Sequence, residues 1–369
     1  MTEMNALARE LQQSVLELDL PTVADNLQGG QPLVLMPAID LAVVVFDAQG
    51  PARWANVLFS REHRHGVVAD IGADAGALRN IRFDADLQDG KRNSIAWLPG
   101  SNWSQLPWRR LHGEGVHRFV APYPASLLKL MVAVGVALAV DEGLCSWPAA
   151  LTPMITVSDN DATDTCVALL HRVGWLPHRL NVLFASLGLH TLQLNHTTPK
   201  GGWRNGDGSG VGQIHMTAWD TARLLWLLDA EAPPAPWLPT GTPPLLKPAS
   251  RDRLRATLAA QTLDEILSSG ALRGVPGWVP GLPDAPAFAH KTGTTENYGS
   301  DAGIVHTPQA HYIVALLSSL GSRYAPHERC ATSWRLPALG AAVHRICSAG
   351  RVASSALPPA APPAASPPR

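Results

Sequence analysis

The chain has few lysines, few cysteines and no segment apolar enough to cross a membrane. Its 369 residues include five lysines, against 24 arginines, and four cysteines. The cysteines show no metal-type Cys-x-x-Cys spacing, so we expect free thiols in a reducing compartment. No uninterrupted apolar run reaches the ~18 to 20 residues of a membrane span. The sequence therefore predicts neither a zinc-binding cysteine module nor a transmembrane helix.

The charge is nearly balanced, which argues against a nucleic-acid partner. The formal net charge is −1 at pH 7 and no long basic run is present, whereas clustered basic residues mark nucleic-acid surfaces. The start of the chain, MTEMNALARELQQSVLELDL, is acidic and polar where a signal peptide needs a basic start and an apolar stretch. We expect an amphipathic helix here and a cytoplasmic protein, with a periplasmic or secreted location as the alternative if a signal was removed.

The pattern of apolar segments predicts one large domain with short appendages. We expect an N-terminal helical extension over residues 1–35, a main domain over 36–349 and a disordered Pro/Ala-rich tail over 350–369. In the main domain a predicted hairpin, LAVVVFDAQGPARWANVLF, precedes several helices, two further strands and a final helix. This order is typical of an α/β (α+β) fold in which one antiparallel sheet packs on helices.

One lysine lies in the most apolar segment of the chain, residues 121–140 (APYPASLLKLMVAVGVALAV). Lys129 follows Ser126 by three positions, which places both side chains on one face of a helix. Because the segment is apolar on all sides, it is predicted to be a buried helix. Desolvation favours the neutral form of an amine, so Lys129 could act as a base on the Ser126 hydroxyl. The alternative is a capping serine and a lysine that extends to the surface.

Two further short motifs follow along the chain. Residues 158–160 read Ser-Asp-Asn, and their alternative interpretation is a helix N-cap, a place that all three residue types favour. Residues 291–294 read Lys-Thr-Gly-Thr within a strand pattern, and their alternative is a strand that runs into a turn. A glycine inside a strand often marks the close approach of a ligand or of another backbone.

The three motifs, taken in this order, resemble the signature set of serine β-lactamases and penicillin-binding proteins, in the class A-like branch. The resemblance extends from about residue 41 to residue 346, and the segments LAVDEG and DAGIV support it. It implies a β-lactamase-like three-layer fold, with an antiparallel sheet flanked by helices and a mostly helical subdomain. It implies no metal and no organic cofactor.

The resemblance also implies a role for each motif residue. Ser126 would be the nucleophile and Lys129 the base that activates it. Ser158 would pass a proton to the leaving group and would be held in place by Lys291. The remaining motif residues would bind the substrate: Asn160, Thr292, Gly293 and Thr294.

One departure from the family concerns the second half of the reaction. Class A β-lactamases activate the deacylating water with a glutamate, usually in a Glu-Pro pair, and the comparable pair here is Thr198-Pro199. No glutamate occurs between residues 158 and 219. Since threonine cannot act as that base at neutral pH, efficient hydrolysis of β-lactams is not expected, and Asp207 or Lys129 would have to serve instead.

Two other departures concern the surroundings of the motifs. Ser126 and Ser158 are 32 residues apart, fewer than in class A enzymes, which predicts a trimmed helical segment and a more open cleft. Residues 56–115 are longer than usual and could form a lid or an insertion. Tryptophans in this region are expected either to line the substrate or to pack a small subdomain: Trp97, Trp103 and Trp108.

Two minor features bear on specificity and on metals. Asp301 stands about where lactamases carry an arginine for the substrate carboxylate, which predicts a substrate without that carboxylate. His63 and His65 are better explained by a solvated loop than by a metal site, because no further ligands are near them in the sequence.

These observations favour a serine hydrolase that acts on an amide, peptide or ester through an acyl-serine intermediate. Its partner would be a small-molecule or peptide-like substrate, and the sequence leaves the oligomeric state open. The alternatives are a β-lactamase or D-alanyl-D-alanine carboxypeptidase, an acyltransferase of specialised metabolism, and a non-catalytic binding protein on the same fold.

Overall fold

The computed structural model describes residues 3–47, 50–87, 102–201, 203, 211–325 and 332–352. Two residues singled out in the sequence, Trp97 and Asp207, lie outside the described residues, and so does the predicted tail from residue 353 onward.

The described residues form eight α-helices and thirteen strands. The helices are α1 (Glu3–Glu17), α2 (Lys129–Asp141), α3 (Leu151–Thr156), α4 (Asn160–Arg172), α5 (Arg179–Ser186), α6 (Ala218–Leu228), α7 (Pro248–Ala259) and α8 (Arg335–Val352). The strands are β1 (Ala24–Asp25), β2 (Gln31–Pro32), β3 (Ile39–Val45), β4 (Arg53–Phe59), β5 (Val67–Val68), β6 (Ile81–Ala85), β7 (Arg109–His112), β8 (His117–Ala121), β9 (Gln193–Leu194), β10 (Ile214–His215), β11 (Phe288–Thr294), β12 (Gly299–His306) and β13 (His311–Ser318). Short 3-10 helices cover Leu20–Thr22, Asn26–Gln28, Trp103–Gln105, Ala125–Leu128, Gly270–Leu272 and Ser322–Tyr324.

The main sheet has six antiparallel strands in the order β11-β12-β13-β3-β4-β5. The predicted first hairpin is confirmed, since β3 pairs with β4 from Ile39 opposite Phe59 to Val45 opposite Arg53. β13 then pairs with β3, with Tyr312 opposite Val45. The last strands therefore close onto the first hairpin, as the order of elements along the sequence predicts.

Helices cover both faces of this sheet. Along β3, alternate side chains enter two different clusters because successive residues of a strand point to opposite faces. Leu41 and Val43 belong to a core shared with α1 and α8, whereas Ala42 and Val44 belong to a core built mainly from α2, α4 and α6. The predicted three-layer arrangement, with an antiparallel sheet between helices, is therefore confirmed.

The N-terminal helix is part of the first of these cores. Leu7, Leu11 and Val15 recur every four residues on one face of α1 and are fully buried. A buried ion pair between Asp25 and Arg323 also connects the segment after α1 to the 3-10 helix that follows β13. No helix among the described residues is long and apolar enough to cross a membrane.

The segment between the first hairpin and α2 carries a small mixed sheet. Its order is β7-β6-β8, in which β6 pairs parallel to β8. Trp103 is buried in the core that also contains α1, and Trp108 packs on the same core. The Trp108 indole N–H donates to the Trp103 carbonyl oxygen at 2.9 Å, and the two rings are 4.7 Å apart. These two tryptophans therefore have a packing role.

We predict that replacing Leu11 by alanine lowers the free energy of unfolding by about 2–5 kcal/mol, because a fully buried leucine leaves a cavity. Chemical denaturation followed by circular dichroism measures the change. Leu16→Ala, on the same helix but 38% exposed, is the control and should cost no more than about 0.5 kcal/mol. Equal effects of the two substitutions would contradict the integration of α1 into the core.

Candidate active site

The segment that holds Ser126 and Lys129 is not one continuous α-helix. Residues up to Ala121 belong to β8, a 3-10 helix covers Ala125–Leu128, and α2 begins at Lys129. The prediction of a helix over 121–140 is thus wrong for residues 121–124, and residues 125–128 form a 3-10 helix rather than an α-helix. Ser126 and Lys129 still share one side, because residues three apart eclipse each other in a 3-10 helix. Ala125, just before the serine, has a left-handed φ of 52°, a strained conformation typical of functional turns.

The Lys129 amine is completely buried and binds the Ser-Asp-Asn motif. Its Nζ donates to the Ser158 carbonyl oxygen at 2.5 Å and to Asn160 Oδ1 at 2.8 Å, and it lies 2.9 Å from Ser158 Oγ. The first two oxygens can only accept, whereas a hydroxyl can also donate. A protonated amine satisfies all three oxygens with its three N–H groups, and a neutral amine does so with two N–H groups and by accepting a hydrogen bond from the Ser158 hydroxyl.

The Ser-Asp-Asn motif serves both the helix and the candidate site. Asp159 is the N-cap of α4 and accepts a hydrogen bond from the Ala162 N–H at 2.7 Å, so the capping interpretation holds for the middle residue. Ser158 has a left-handed φ of 55°, and both its carbonyl and its hydroxyl reach Lys129. Asn160 is the first residue of α4. The motif is therefore held in place by the start of this helix.

The Lys-Thr-Gly motif lies at the end of β11, the edge strand of the main sheet as far as the structure describes it. Lys291 is fully buried, and its Nζ donates to the Thr292 carbonyl oxygen at 2.9 Å. Burial and then the charge of Lys129 hold the pKa of Lys291 well below its ordinary value, against the opposing effect of Asp301 and Glu265. The charge of Lys129 thus favours the neutral form of Lys291.

Gly293 brings β11 against the Ser126 turn. A Cβ atom at this position would clash with the Pro124 carbonyl oxygen, would lie 2.5 Å from the Leu127 nitrogen and would lie 3.0 Å from the Ser126 nitrogen. Only a residue without a side chain allows this approach. Next to it, Thr294 Oγ1 is buried and has no hydrogen-bond partner.

The side chain of Asp301, at about the position where lactamases carry an arginine for the substrate carboxylate, makes its hydrogen bonds inside the protein. Asp301 is fully buried, and its carboxylate accepts from His290 Nδ1 at 2.7 Å and from the Leu267 N–H at 3.1 Å. His290 also contacts Asp264 through Nε2 at 3.2 Å. Burial alone would lower the pKa of His290, but the two carboxylates outweigh it and raise this pKa to about 9. The carboxylate of Asp301 is therefore used to fix β11 to the segment before it.

Glu265 is a titratable group near the site that the sequence analysis missed. It is partly buried, and burial raises its pKa to about 7, opposed by the charge of Lys291. The residue lies in an irregular connection between α7 and β11 and belongs to no motif. Its neighbour Asp264, which binds His290, gave no sequence signal either.

The loop expected to carry a water-activating residue places a tryptophan next to the lysine. Thr198 and Pro199 are both exposed. Trp203, five residues after Thr198, is buried, and Lys129 Nζ lies 5.2 Å from the centroid of its ring. This is within the range of a cation–π contact. The sequence analysis did not single out Trp203, because nothing in the local pattern distinguishes it from a core tryptophan.

An aromatic pair connects the nucleophile turn to the small mixed sheet. Tyr123 lies three residues before Ser126. Its ring packs edge to face against the ring of Tyr298, with 5.8 Å between the ring centroids. The Tyr298 hydroxyl donates to Asp86, which follows β6. The region between the first hairpin and α2 is therefore bonded to the vicinity of the site.

The described residues contain no group of three or more His, Cys, Asp or Glu side chains that could hold a metal ion. His63 instead contacts the Arg118 carbonyl oxygen at 2.9 Å, and His65 accepts from Arg64 at 3.1 Å. Cys145, Cys166 and Cys347 are free thiols.

We predict that Gly293→Ala lowers the free energy of unfolding by about 1–3 kcal/mol, because the added methyl group forces β11 away from the Ser126 turn. Thermal and chemical denaturation measure this. Gly50→Ala is the control, since its Cβ would meet only Asp47 Cβ, at 3.8 Å. Equal stability of the two variants would contradict the close approach of the two segments.

We predict that the stability contributed by His290 is lost as the pH rises from about 6.5 to about 9, because this residue keeps its proton longer in the folded than in the unfolded chain. The lowered pKa of Lys291 acts in the opposite direction over this range, so the loss is measured as the difference in pH dependence between the wild type and His290→Asn. The full loss is on the order of 3 kcal/mol, at about 1.4 kcal/mol per pKa unit. Measurements between pH 7.5 and 9 avoid most of the titration of Glu265, whose pKa is about 7. As the pH rises over this range, the wild type should lose stability relative to His290→Asn, whereas the exposed control His178→Gln should follow the wild type.

Comparison with known proteins gives a family match and a fold match. A model of the β-lactamase enzyme family matches residues 145–333, slightly more than half of the chain and beginning after the Ser-x-x-Lys motif. A mutant of the penicillin-binding protein PBP-A, solved as an acyl-enzyme complex with penicillin G, superimposes with a TM-score of 0.51 at 19% identity, covering 94% of this chain and 96% of that one. A variant of the extended-spectrum β-lactamase TLA-1 gives 0.50 at 14% identity, with 92% and 97% covered. No curated protein matches the chain. With its three-layer fold and the match over most of its second half, the chain belongs to the β-lactamase enzyme family.

Proposed function

We propose that this protein is a serine hydrolase that cleaves an amide, peptide or ester through an acyl-serine at Ser126. The observation that carries the proposal is the convergence of the three motifs. Lys129 is the first residue of α2, directly after the Ser126 turn, and its buried amine binds Ser158 and Asn160. The Lys-Thr-Gly strand packs against the same turn through Gly293.

Acylation begins with removal of the Ser126 proton. Lys129 is the base for this step, because its burial and its proximity to Lys291 disfavour a second positive charge in the same place. Ser126 Oγ then attacks the substrate carbonyl carbon. The proton passes from Lys129 to Ser158 Oγ, 2.9 Å away, and on to the leaving group. The bond between the carbonyl carbon and the leaving group breaks, and the acyl-serine remains.

The backbone around Ser126 can stabilise the negative charge that develops on the carbonyl oxygen. We assign this role to the N–H groups of Ser126 and Thr294, since Gly293 brings these two segments together. Preorganised backbone donors of this kind act where charge appears in the transition state. Among the described residues no strand pairs with the outer edge of β11, so this edge can pair with an extended substrate as an added strand would.

We predict that an acylating probe labels Ser126. Penicillin G and a fluorophosphonate, each followed by intact-mass measurement and peptide mapping, should give an adduct on the wild type and none on Ser126→Ala. Lys129→Met keeps the length of the side chain but removes the base, so labelling should slow by about 100-fold or more.

The control for these variants is Ser186→Ala, because Ser186 is an exposed serine at the end of α5. It should be labelled at the wild-type rate. Failure of the wild type to react with either probe, or with a panel of activated esters and amides, would favour a non-catalytic binding protein. Turnover of nitrocefin would identify the hydrolase as a β-lactamase.

A further inference from the structure

We propose that Trp203 is a positioning residue that keeps hydrolytic water away from Lys129 and so prolongs the life of the acyl-serine. The inference rests on the proposed function, because it concerns the step after acylation. Trp203 comes from the loop that has no glutamate, and its ring lies beside the Lys129 amine.

The first observation is the contact itself. Trp203 is 4% exposed, and its ring lies 5.2 Å from Lys129 Nζ. An indole has one N–H donor and no acceptor. It therefore cannot take a proton from water, and it presents an apolar ring face to the amine.

The second observation is that the loop before Trp203 is anchored to α4 at two points. Thr197 Oγ1 contacts His171 Nε2 at 2.9 Å. Gly201 has a left-handed φ of 90°, and a Cβ at this position would lie 2.5 Å from the Asp164 carbonyl oxygen. Because α4 also begins with Asn160, which binds Lys129, the tryptophan and the lysine are positioned by the same helix.

The chemical consequence follows from what hydrolysis requires. Water must attack the acyl carbon, a base must take one of its protons, the bond between that carbon and Ser126 Oγ must break, and Oγ must regain a proton. Lys129 and Ser158 can exchange that proton. The indole takes up space next to the amine and leaves less room for a water within reach of both the base and the acyl carbon. Deacylation is therefore slowed more than acylation.

The experiment compares the two half-reactions in full-length Trp203→Ala, Trp203→Phe and wild-type protein. Acylation by penicillin G is followed by rapid-quench intact mass, and loss of the adduct is followed after excess probe is removed. We expect the adduct of Trp203→Ala to decay at least about tenfold faster than that of the wild type. The rate of acylation should change by a smaller factor. Trp203→Phe, which keeps a ring against the amine, should restore most of the adduct lifetime.

Trp175→Ala is the matched control. Trp175 is 3% exposed, also has a buried indole N–H without a partner, and has Arg179 3.9 Å from its ring centroid, in the connection between α4 and α5. Its adduct should decay at the wild-type rate. If Trp203→Ala does not fold, Trp203→Leu, which also shortens the side chain, provides the same comparison.

The outcomes separate this inference from the proposed function. The role of Trp203 would be overturned if the adduct of Trp203→Ala had the wild-type lifetime, or if the rates of acylation and deacylation changed by equal factors. Either result would leave the proposed serine hydrolase function standing. If penicillin G gives no adduct, the burst and steady-state phases of p-nitrophenyl acetate hydrolysis report the same two steps. Absence of acylation of wild-type Ser126 by both compounds would overturn both proposals.

Discussion

The burial of the Lys129 amine is the constraint on which the rest of the candidate site depends. An amine without water must find its hydrogen-bond partners in the protein, and here they are Ser158, just before α4, and Asn160, its first residue. The need for these hydrogen bonds fixes where α4 begins. It also fixes the orientation of the Ser158 carbonyl and hydroxyl groups, for which the backbone of Ser158 adopts a left-handed conformation. A second buried amine, Lys291, lies close enough to be affected by the first. The site is thus a pair of desolvated lysines whose surroundings are polar only where each amine needs a partner.

The sequence predicted those parts of the site that are carried by short motifs on regular elements. In a chain with five lysines, a lysine in an apolar helix and another in a strand stand out, and the structure brings their motifs together. The six-stranded sheet was predictable for a similar reason, because the hairpin and the final strands are long and apolar. The motif lysines and the main sheet could both be predicted because they depend on local sequence patterns, and tertiary packing preserves these patterns.

The remainder could not be predicted, because it depends on contacts between distant segments. The 3-10 start of the Ser126 segment follows from the left-handed Ala125 and from the approach of Gly293, neither of which has a helical or strand period. The position of Asp301 along the chain does not indicate the partners of its carboxylate, which are His290 and the Leu267 N–H. Trp203 and Glu265 lie in irregular connections, where a residue type alone gives no indication of what it touches.

The pairing of β13 with β3 has a consequence for how the site forms. β3 lies near the beginning of the chain and β13 near its end, with the nucleophile, its base and the helices between them. Contacts of such large sequence separation form slowly, because the entropy of closing the intervening chain must be lost first. During synthesis, Ser126 and Lys129 leave the ribosome long before the strand that completes their surroundings. The nascent protein is therefore expected to remain unreactive until nearly the whole chain has been made, so that reactivity of the serine reports the completion of folding.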